Sequence, residues 1–364
     1  SSVRFRIGET EDRNTLKMTM PGRFFVQRFL RQAVKQGCTH AVLEITSEGI
    51  LQHRHRFIDF HTAVFTNLSP EHIERHGSFE KYMEAKGQLF RIAKEVHVIN
   101  LDDEHAEYFL QFSARTIFGY RIPGLRARTQ IAREEKLQIV EAVLAAEQSD
   151  GPRFSVGDTE FHLNLLGSFN VSNALAAICV AVSQGVGLQT CKAALEKIEK
   201  MPGRMEIVAR EPFEVIVDYA FTPAALEKVY KVLRARLSVR VPQGKLLCVL
   251  GAAGGGRDVW KRPVLGKLAG IYCDTVIVSN EDPYDEDPQA IIDQVAQGVG
   301  GKAEKILDRR EAIASVFQRA GASDIVVITG KGSEDSIAWA GGKKTPWDDR
   351  IVVKEELDKR AQIG

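Results

Sequence analysis

Between residues 67 and 86 the chain carries Asn67-Leu68-Ser69-Pro70-Glu71-His72-Ile73-Glu74-Arg75-His76-Gly77 and then Tyr82-Met83-Glu84-Ala85-Lys86. Imidazoles, carboxylates and one lysine are thus gathered after a strand-like run. These types suit a divalent cation and phosphate oxygens, since carboxylate and neutral imidazole are ordinary Mg2+ or Mn2+ ligands. Upstream, Glu44 sits in Ala41-Val42-Leu43-Glu44-Ile45-Thr46-Ser47, an apolar run that ends in hydroxyls. A lysine ammonium is no metal ligand, so Lys86 joins Glu44 and His72 only once its charge is gone, for instance as the anionic carbamate formed with CO2. Residue types alone also allow a second reading, of solvated helix-face charges and a satisfied core histidine.

Three later loops carry comparable chemistry. Gly251-Ala252-Ala253-Gly254-Gly255-Gly256-Arg257-Asp258 follows an apolar run. A glycine-rich strand-to-helix turn lets backbone N–H groups approach an anion, and Arg257 is suited to clamp a carboxylate. The turn lacks both a Walker Lys-Ser/Thr ending and the G-x-G-x-x-G fingerprint, so a plain turn is an equal reading. Asn280-Glu281-Asp282-Pro283-Tyr284-Asp285-Glu286-Asp287-Pro288 sets five acids after another run, fit for an amine substrate or for a helix start favoured by the macrodipole. Gly330-Lys331-Gly332-Ser333-Glu334 is either a ligand-binding turn or a strand exit.

Such groups need strands that end where the polar residues begin. The spacing predicts a helix over 23–36, strands over 41–47 and 63–67, a helix over 79–94 and a strand over 96–100. From about 108 to 161 short runs and turns predict a small antiparallel patch, with a hairpin connection at 155–160. Gly167-Ser168-Phe169-Asn170-Val171-Ser172-Asn173 opens a long apolar helix over 174–186, followed by a helix over 192–200. Met201-Pro202-Gly203-Arg204 reads as a hinge, which divides the chain into domains 1–203 and 204–364. Beyond it, strands 215–218, 246–250, 275–279 and 325–329 alternate with helices 224–237, 263–272, 288–298 and 310–320. The fold class is therefore α/β: a mostly parallel first sheet with a small antiparallel patch, then a doubly wound Rossmann-like domain.

A length of 364 residues with 44% hydrophobic content fills two cores. With 49 basic against 48 acidic residues, the net charge of +1 offers no broad field for nucleic acid or an acidic membrane surface. No apolar run reaches the roughly 18 residues of a membrane span, and the first ten residues are too polar for a signal peptide. The five cysteines are odd in number and widely spaced, as reduced thiols are, so the cytoplasm is expected; the chain is also expected to be a monomer. A start without methionine, on the strand-like Val3-Arg4-Phe5-Arg6-Ile7, suggests that residues precede Ser1.

In this order, the motifs resemble the Mur ligase family, of the MurE type that adds the third peptide residue to UDP-N-acetylmuramoyl-dipeptide. The resemblance runs from Asn14-Thr15-Leu16 to Trp347-Asp348-Asp349-Arg350. It rests also on Glu44-Ile45-Thr46-Ser47, Phe169-Asn170-Val171-Ser172-Asn173-Ala174-Leu175-Ala176-Ala177, Pro202-Gly203-Arg204-Met205-Glu206, Val217-Asp218-Tyr219-Ala220 and Gly330-Lys331-Gly332. It implies amide synthesis in which ATP phosphorylates the muramoyl-peptide carboxylate and the amino group of an amino acid attacks the acyl phosphate. By similarity Glu44 and His72 ligate Mg2+, and a carbamylated Lys86 supports a second metal. Asn170 and Asn173 match the adenine contacts, Arg204 an arginine reaching ATP, and Asp218 an acid near the ribose. Thr46 and Ser47 match the muramoyl site. Arg257, Asp282, Tyr284, Gly330 and Glu334 match the positions that bind the added amino acid.

The departures are equally specific. The family's Walker-type Gly-Lys-Thr loop and its uridine-binding domain are absent from these residues, so a very poor ligase is expected. A non-catalytic relative that binds muramoyl peptide, nucleotide or a protein is the alternative, and a folylpolyglutamate synthetase relative a distant third. Phe221 and Ser333 stand where the family has histidines, and Tyr284 where diaminopimelate-adding members have arginine. With Glu281, Asp282, Asp285 and Glu334 nearby, a lysine-like amino acid is expected over diaminopimelate.

Overall fold

A computed structural model describes residues 4–14, 16, 18–71, 73–124, 137–145, 151–240, 243–301 and 303–363. It forms two compact units, Ser1–Val143 with Ser172–Cys191, and Leu144–Val171 with Lys192–Gly364. The Pro/Gly stretch at 201–204 lies inside the second unit.

In the first unit, strands Thr62–Phe65, Val96–Asn100, Thr116–Arg121 and Leu137–Glu141 form a parallel sheet in that order. Val96–Asn100 is buried at every residue, as an inner parallel strand must be. Its one imidazole, His97, shares a 2.8 Å hydrogen bond with the Ala93 carbonyl. Helix Phe79–Ile92 starts where the Ser78 hydroxyl accepts from the Lys81 N–H at 3.2 Å, and it buries Tyr82 and Phe90 against Phe65, Ile99 and Phe109. At the carboxyl edge, Asn100 ties neighbouring strand ends together: its amide donates to the Thr66 carbonyl at 2.7 Å and its oxygen accepts from the Asp102 N–H at 3.0 Å.

The first unit corrects two expectations. Residues 41–46 are not a strand among the described residues; they join no ladder, and helix Ser47–Leu51 starts directly after them. Strand propensity supplies a shape but not a partner, and Val42, 95% exposed, has no neighbouring strand to cover it. The antiparallel patch also starts later than expected, because Thr116–Arg121 and Leu137–Glu141 continue the parallel sheet. What remains antiparallel includes the Arg153–Val156 and Thr159–His162 hairpin, which falls in the second unit and is turned by Gly157 at φ +55° as its sequence foretold.

The second unit holds a six-stranded sheet in the order Glu206–Ala209, Glu214–Asp218, Ile325–Thr329, Leu246–Leu250, Thr275–Val278, Ala303–Lys305. Only the first pairing is antiparallel. The two outermost strands are short and partly exposed, too weakly patterned to stand out in the sequence. Period-two alternation sends the inner-strand side chains to opposite faces. Cys248 and Leu250 join the core under helices Pro223–Arg240, Lys261–Tyr272 and Pro288–Val299, whereas Leu247 and Val249 join the one under Arg309–Arg319 and Asp349–Ile363. Each such fully buried side chain is worth about 1.5–3 kcal/mol, so the inner strands fix the edge from which the functional loops leave.

Candidate functional site

Lys86 lies one helical turn after Tyr82, with Nζ 5.1 Å from the centre of that ring. Burial is the main influence on its ammonium and pushes it below the usual lysine range, while Glu71 and then Glu44 pull the other way. The fold therefore brings Glu44 and Glu71 within electrostatic reach of Lys86. His72 lies outside the described residues. A lysine whose charge is disfavoured presents a nucleophilic amine more readily, which is what carbamate formation requires. The resulting anion would sit beside two carboxylates, an arrangement that fits a divalent cation between them. No group of three His, Cys, Asp or Glu side chains is poised as a metal cage among the described residues.

Around this cluster, Thr46 caps helix Ser47–Leu51 by accepting from the Gly49 N–H at 3.0 Å. Buried Ser47 shares a 3.0 Å hydrogen bond with His76 Nε2, whose ring meets Tyr82 edge-on at 5.2 Å. Both hydroxyls thus help build the loop. Asn170 and Asn173 stand three apart on helix Phe169–Ser183, hence on one face, and the Asn170 amide donates to the Leu166 carbonyl at 2.8 Å.

In the second unit the loops after three parallel strands converge. Asp218, at a strand end, accepts from the Met205 N–H at 2.7 Å and the Ala220 N–H at 2.6 Å, so both its oxygens hold backbone. Burial raises its carboxyl above the usual range against these two bonds. Arg204 lies with its guanidinium 4.3 Å from the Tyr219 ring centre. The Tyr219 hydroxyl donates to Glu334 at 3.1 Å. Lys331, wholly buried, donates to Glu334 at 2.5 Å and to Asp282 at 2.9 Å, and Asp282 also accepts from the Ala338 N–H at 2.6 Å. Burial alone would lower Lys331, but Glu334 and Asp282 outweigh it and hold the ammonium above its usual range. One chain of contacts therefore joins Arg204, Tyr219, Glu334, Lys331 and Asp282.

The glycine-rich turn has a role that neither reading of its sequence supplied. A Cβ on Gly254 would lie 2.2 Å from the Pro283 carbonyl oxygen, and the Gly254 N–H donates to the Asp282 carbonyl at 2.7 Å. The glycines there allow backbone to lie directly against the acidic loop. Gly203 does the same against the 330–334 turn, where its Cβ would meet the Ser333 nitrogen at 2.2 Å. Tyr284 carries the Arg257 guanidinium 4.9 Å from its ring centre, and Phe221 carries Lys261 Nζ at 5.0 Å from its own. Of the five acids, only Glu281 and Asp282 turn into the core. Asp285 accepts from the Gly341 N–H at 2.9 Å, Glu286 from the Gly256 N–H at 2.8 Å, and Asp287 caps the next helix.

These two clusters occupy segments with known counterparts. The model of the Mur ligase middle domain matches residues 2–181, and that of the Mur ligase, glutamate ligase domain, matches residues 203–332. A UDP-N-acetylmuramyl-tripeptide synthetase of Roseiflexus sp. (strain RS-1) is 37% identical over 390 residues, spanning 100% of this chain and 72% of that protein. The chain belongs to the Mur ligase family. A UDP-N-acetylmuramoyl-L-alanyl-D-glutamate--2,6-diaminopimelate ligase of Aquifex aeolicus (strain VF5) is 35% identical, covering 95% of this chain and 69% of that protein. A solved structure of a ligase of the same description superposes at a TM-score of 0.58 with 32% identity, over 96% of this chain and 70% of that one. The α/β architecture expected from the sequence is thus that of the Mur ligases. No helix among the described residues is long and apolar enough to cross a membrane.

Within this Mur ligase frame, sequence reasoning singled out neither Glu71 nor His76 nor Lys331. Glu71 and His76 belong to the same motif as His72, and their signal was only proximity. Lys331 stood in the Gly330–Glu334 turn, but nothing tied it to its partner Asp282, which is 49 residues away.

Proposed function

We infer that this Mur ligase joins an amino acid to a UDP-N-acetylmuramoyl-peptide by ATP-dependent amide formation through an acyl phosphate, in peptidoglycan precursor synthesis in the cytoplasm. The observation that carries this reading is the half-buried Lys86 amine within electrostatic reach of Glu44 and Glu71, set in a chain whose relatives bear such names. Glu44, Lys86 as its carbamate and His72 would hold Mg2+, which supplies charge neutralisation at crowded phosphoryl oxygens. Asn170 and Asn173 face the adenine, Arg204 the phosphates and Asp218 the ribose side. Thr46 and Ser47 position the muramoyl substrate. The gap between the two family matches, 182–202, supports a functional boundary at residue 203.

The amino acid is lysine-like rather than diaminopimelate. Arg257, Asp282, Tyr284, Gly330 and Glu334 form its pocket. Tyr284 adds no second cation beside Arg257 for a second carboxylate, and Glu281, Asp282 and Glu334 make the surroundings acidic. The chain acts as a monomer. A non-catalytic binding role is favoured by two features: Phe221, whose ring serves Lys261, and Asp218, whose oxygens both hold backbone.

Phosphate release from ATP, measured with UDP-N-acetylmuramoyl-dipeptide and either lysine or diaminopimelate, decides among these. Slow lysine-dependent release is expected, with none for Lys86→Met. A diaminopimelate preference would end the lysine assignment. Binding of the muramoyl dipeptide without release for any amino acid would establish the binding role instead.

A further inference from the structure

Glu281 is 4% exposed, and its Oε2 has no hydrogen-bond partner among the described residues. Gly330, at φ +106°, leaves room for it: a Cβ there would lie 2.2 Å from that same oxygen. Cations are near, but each is committed elsewhere. Arg309, the first residue of its helix, makes a twin 2.8 Å ion pair with Asp349 and donates to the Asn280 and Thr329 carbonyls. Lys331, from the turn after strand Ile325–Thr329, serves Asp282 and Glu334. Lys261, opening helix Lys261–Tyr272, lies over Phe221. Asp282, on the same loop as Glu281, adds a like charge. Glu281 is therefore a buried acid without a counter-ion of its own, a costly state for a carboxylate.

We propose that Glu281 senses the charge of the added amino acid: it remains a carboxylic acid in the empty pocket and ionises when a side chain ending in an ammonium enters. Binding of a lysine-type amino acid then expels one proton. The O–H bond of Glu281 breaks, the proton passes to solvent, and the new carboxylate pairs with the incoming ammonium. This rests on the amino-acid pocket assigned above and adds a proton linkage to it. Burial, opposed by Lys331 and Arg309, pushes the Glu281 carboxyl up to about 7, where such a linkage operates near neutral pH. Lysine affinity should accordingly fall about tenfold per pH unit below that value and level off above it.

The test follows the carboxyl carbon resonances of glutamate-labelled protein against pH, alone and with saturating lysine or norleucine. Norleucine has the same reach without the amine. Glu281→Gln and Glu334→Gln assign the two signals. The expected result is a Glu281 inflection near pH 7 in the empty protein, lowered by at least one unit by lysine and unmoved by norleucine. An inflection in the ordinary carboxylate range without lysine, or an equal response to norleucine, overturns the inference. If lysine moves the Glu334 signal and not that of Glu281, the linkage falls and the pocket assignment stands. If lysine moves neither, both fall. Proton release on adding lysine to weakly buffered wild-type protein needs no variant: about half a proton per site is expected at pH 7, and none would overturn the proposal.

Discussion

Lys331 is wholly buried and Lys86 half-buried, and their surroundings drive them in opposite directions. Lys331 touches two carboxylates directly and is held charged, whereas Lys86 has Glu71 and Glu44 only within electrostatic reach, so burial wins and its ammonium is disfavoured. The difference teaches that burial alone does not assign a lysine its role. Contact at hydrogen-bond distance makes a structural cation, and its lack leaves an amine available for chemistry.

Breaking the Lys331 contacts should have the largest effect. Lys331→Met leaves Asp282 and Glu334 without their cation and should cost about 3–5 kcal/mol in urea unfolding. The comparison fails if Lys86→Met costs as much. Next, Gly203→Ala, which drives a Cβ into the Ser333 backbone at a left-handed φ of +62°, should lose about 2–4 kcal/mol by the same measurement. A conserved unfolding midpoint would mean that the seam beside Lys331 is loose.

Glu281 sharpens the contrast, being buried like Lys331 but of opposite sign. Its folded-state value of about 7 lies above the ordinary 4.5. Between those limits the folded chain keeps a proton that the unfolded chain has lost. Stability therefore falls as pH rises, by about 1.4 kcal/mol per unit, and levels off above 7. Glu281→Gln should lack this slope, which urea midpoints at pH 5, 6, 7 and 8 can establish. The smallest effect belongs to Lys86→Met, expected within about 1 kcal/mol of wild type because it removes a charge the site disfavours. Labelled CO2 should give a carbamate carbon signal in the wild-type protein that this variant lacks.

The sequence announced the parts of the molecule that depend on local pattern. Period-two apolar runs located Val96–Asn100, Leu246–Leu250 and Ile325–Thr329, and the crowding of Glu71, His72 and Lys86 marked a polar strand edge. It failed where a neighbour decides. Residues 41–46 have a strand's composition and no ladder, and the five acids at 281–287 read alike although two point inward and three hold backbone. The Asp282–Lys331 pair was invisible because it joins loops after different strands, and nothing in the glycine-rich turn showed that Gly254 lies directly against the acidic loop.

That close approach limits how the protein can diversify. Where Gly254 meets Pro283 and Gly203 meets the turn before Glu334, main chain lies on main chain, and no exchange of residue can adjust the fit by degrees. Inherited change in these loops is channelled to the few positions with side chains to vary, Tyr284 and Arg257 foremost. The loops around them stay as they are.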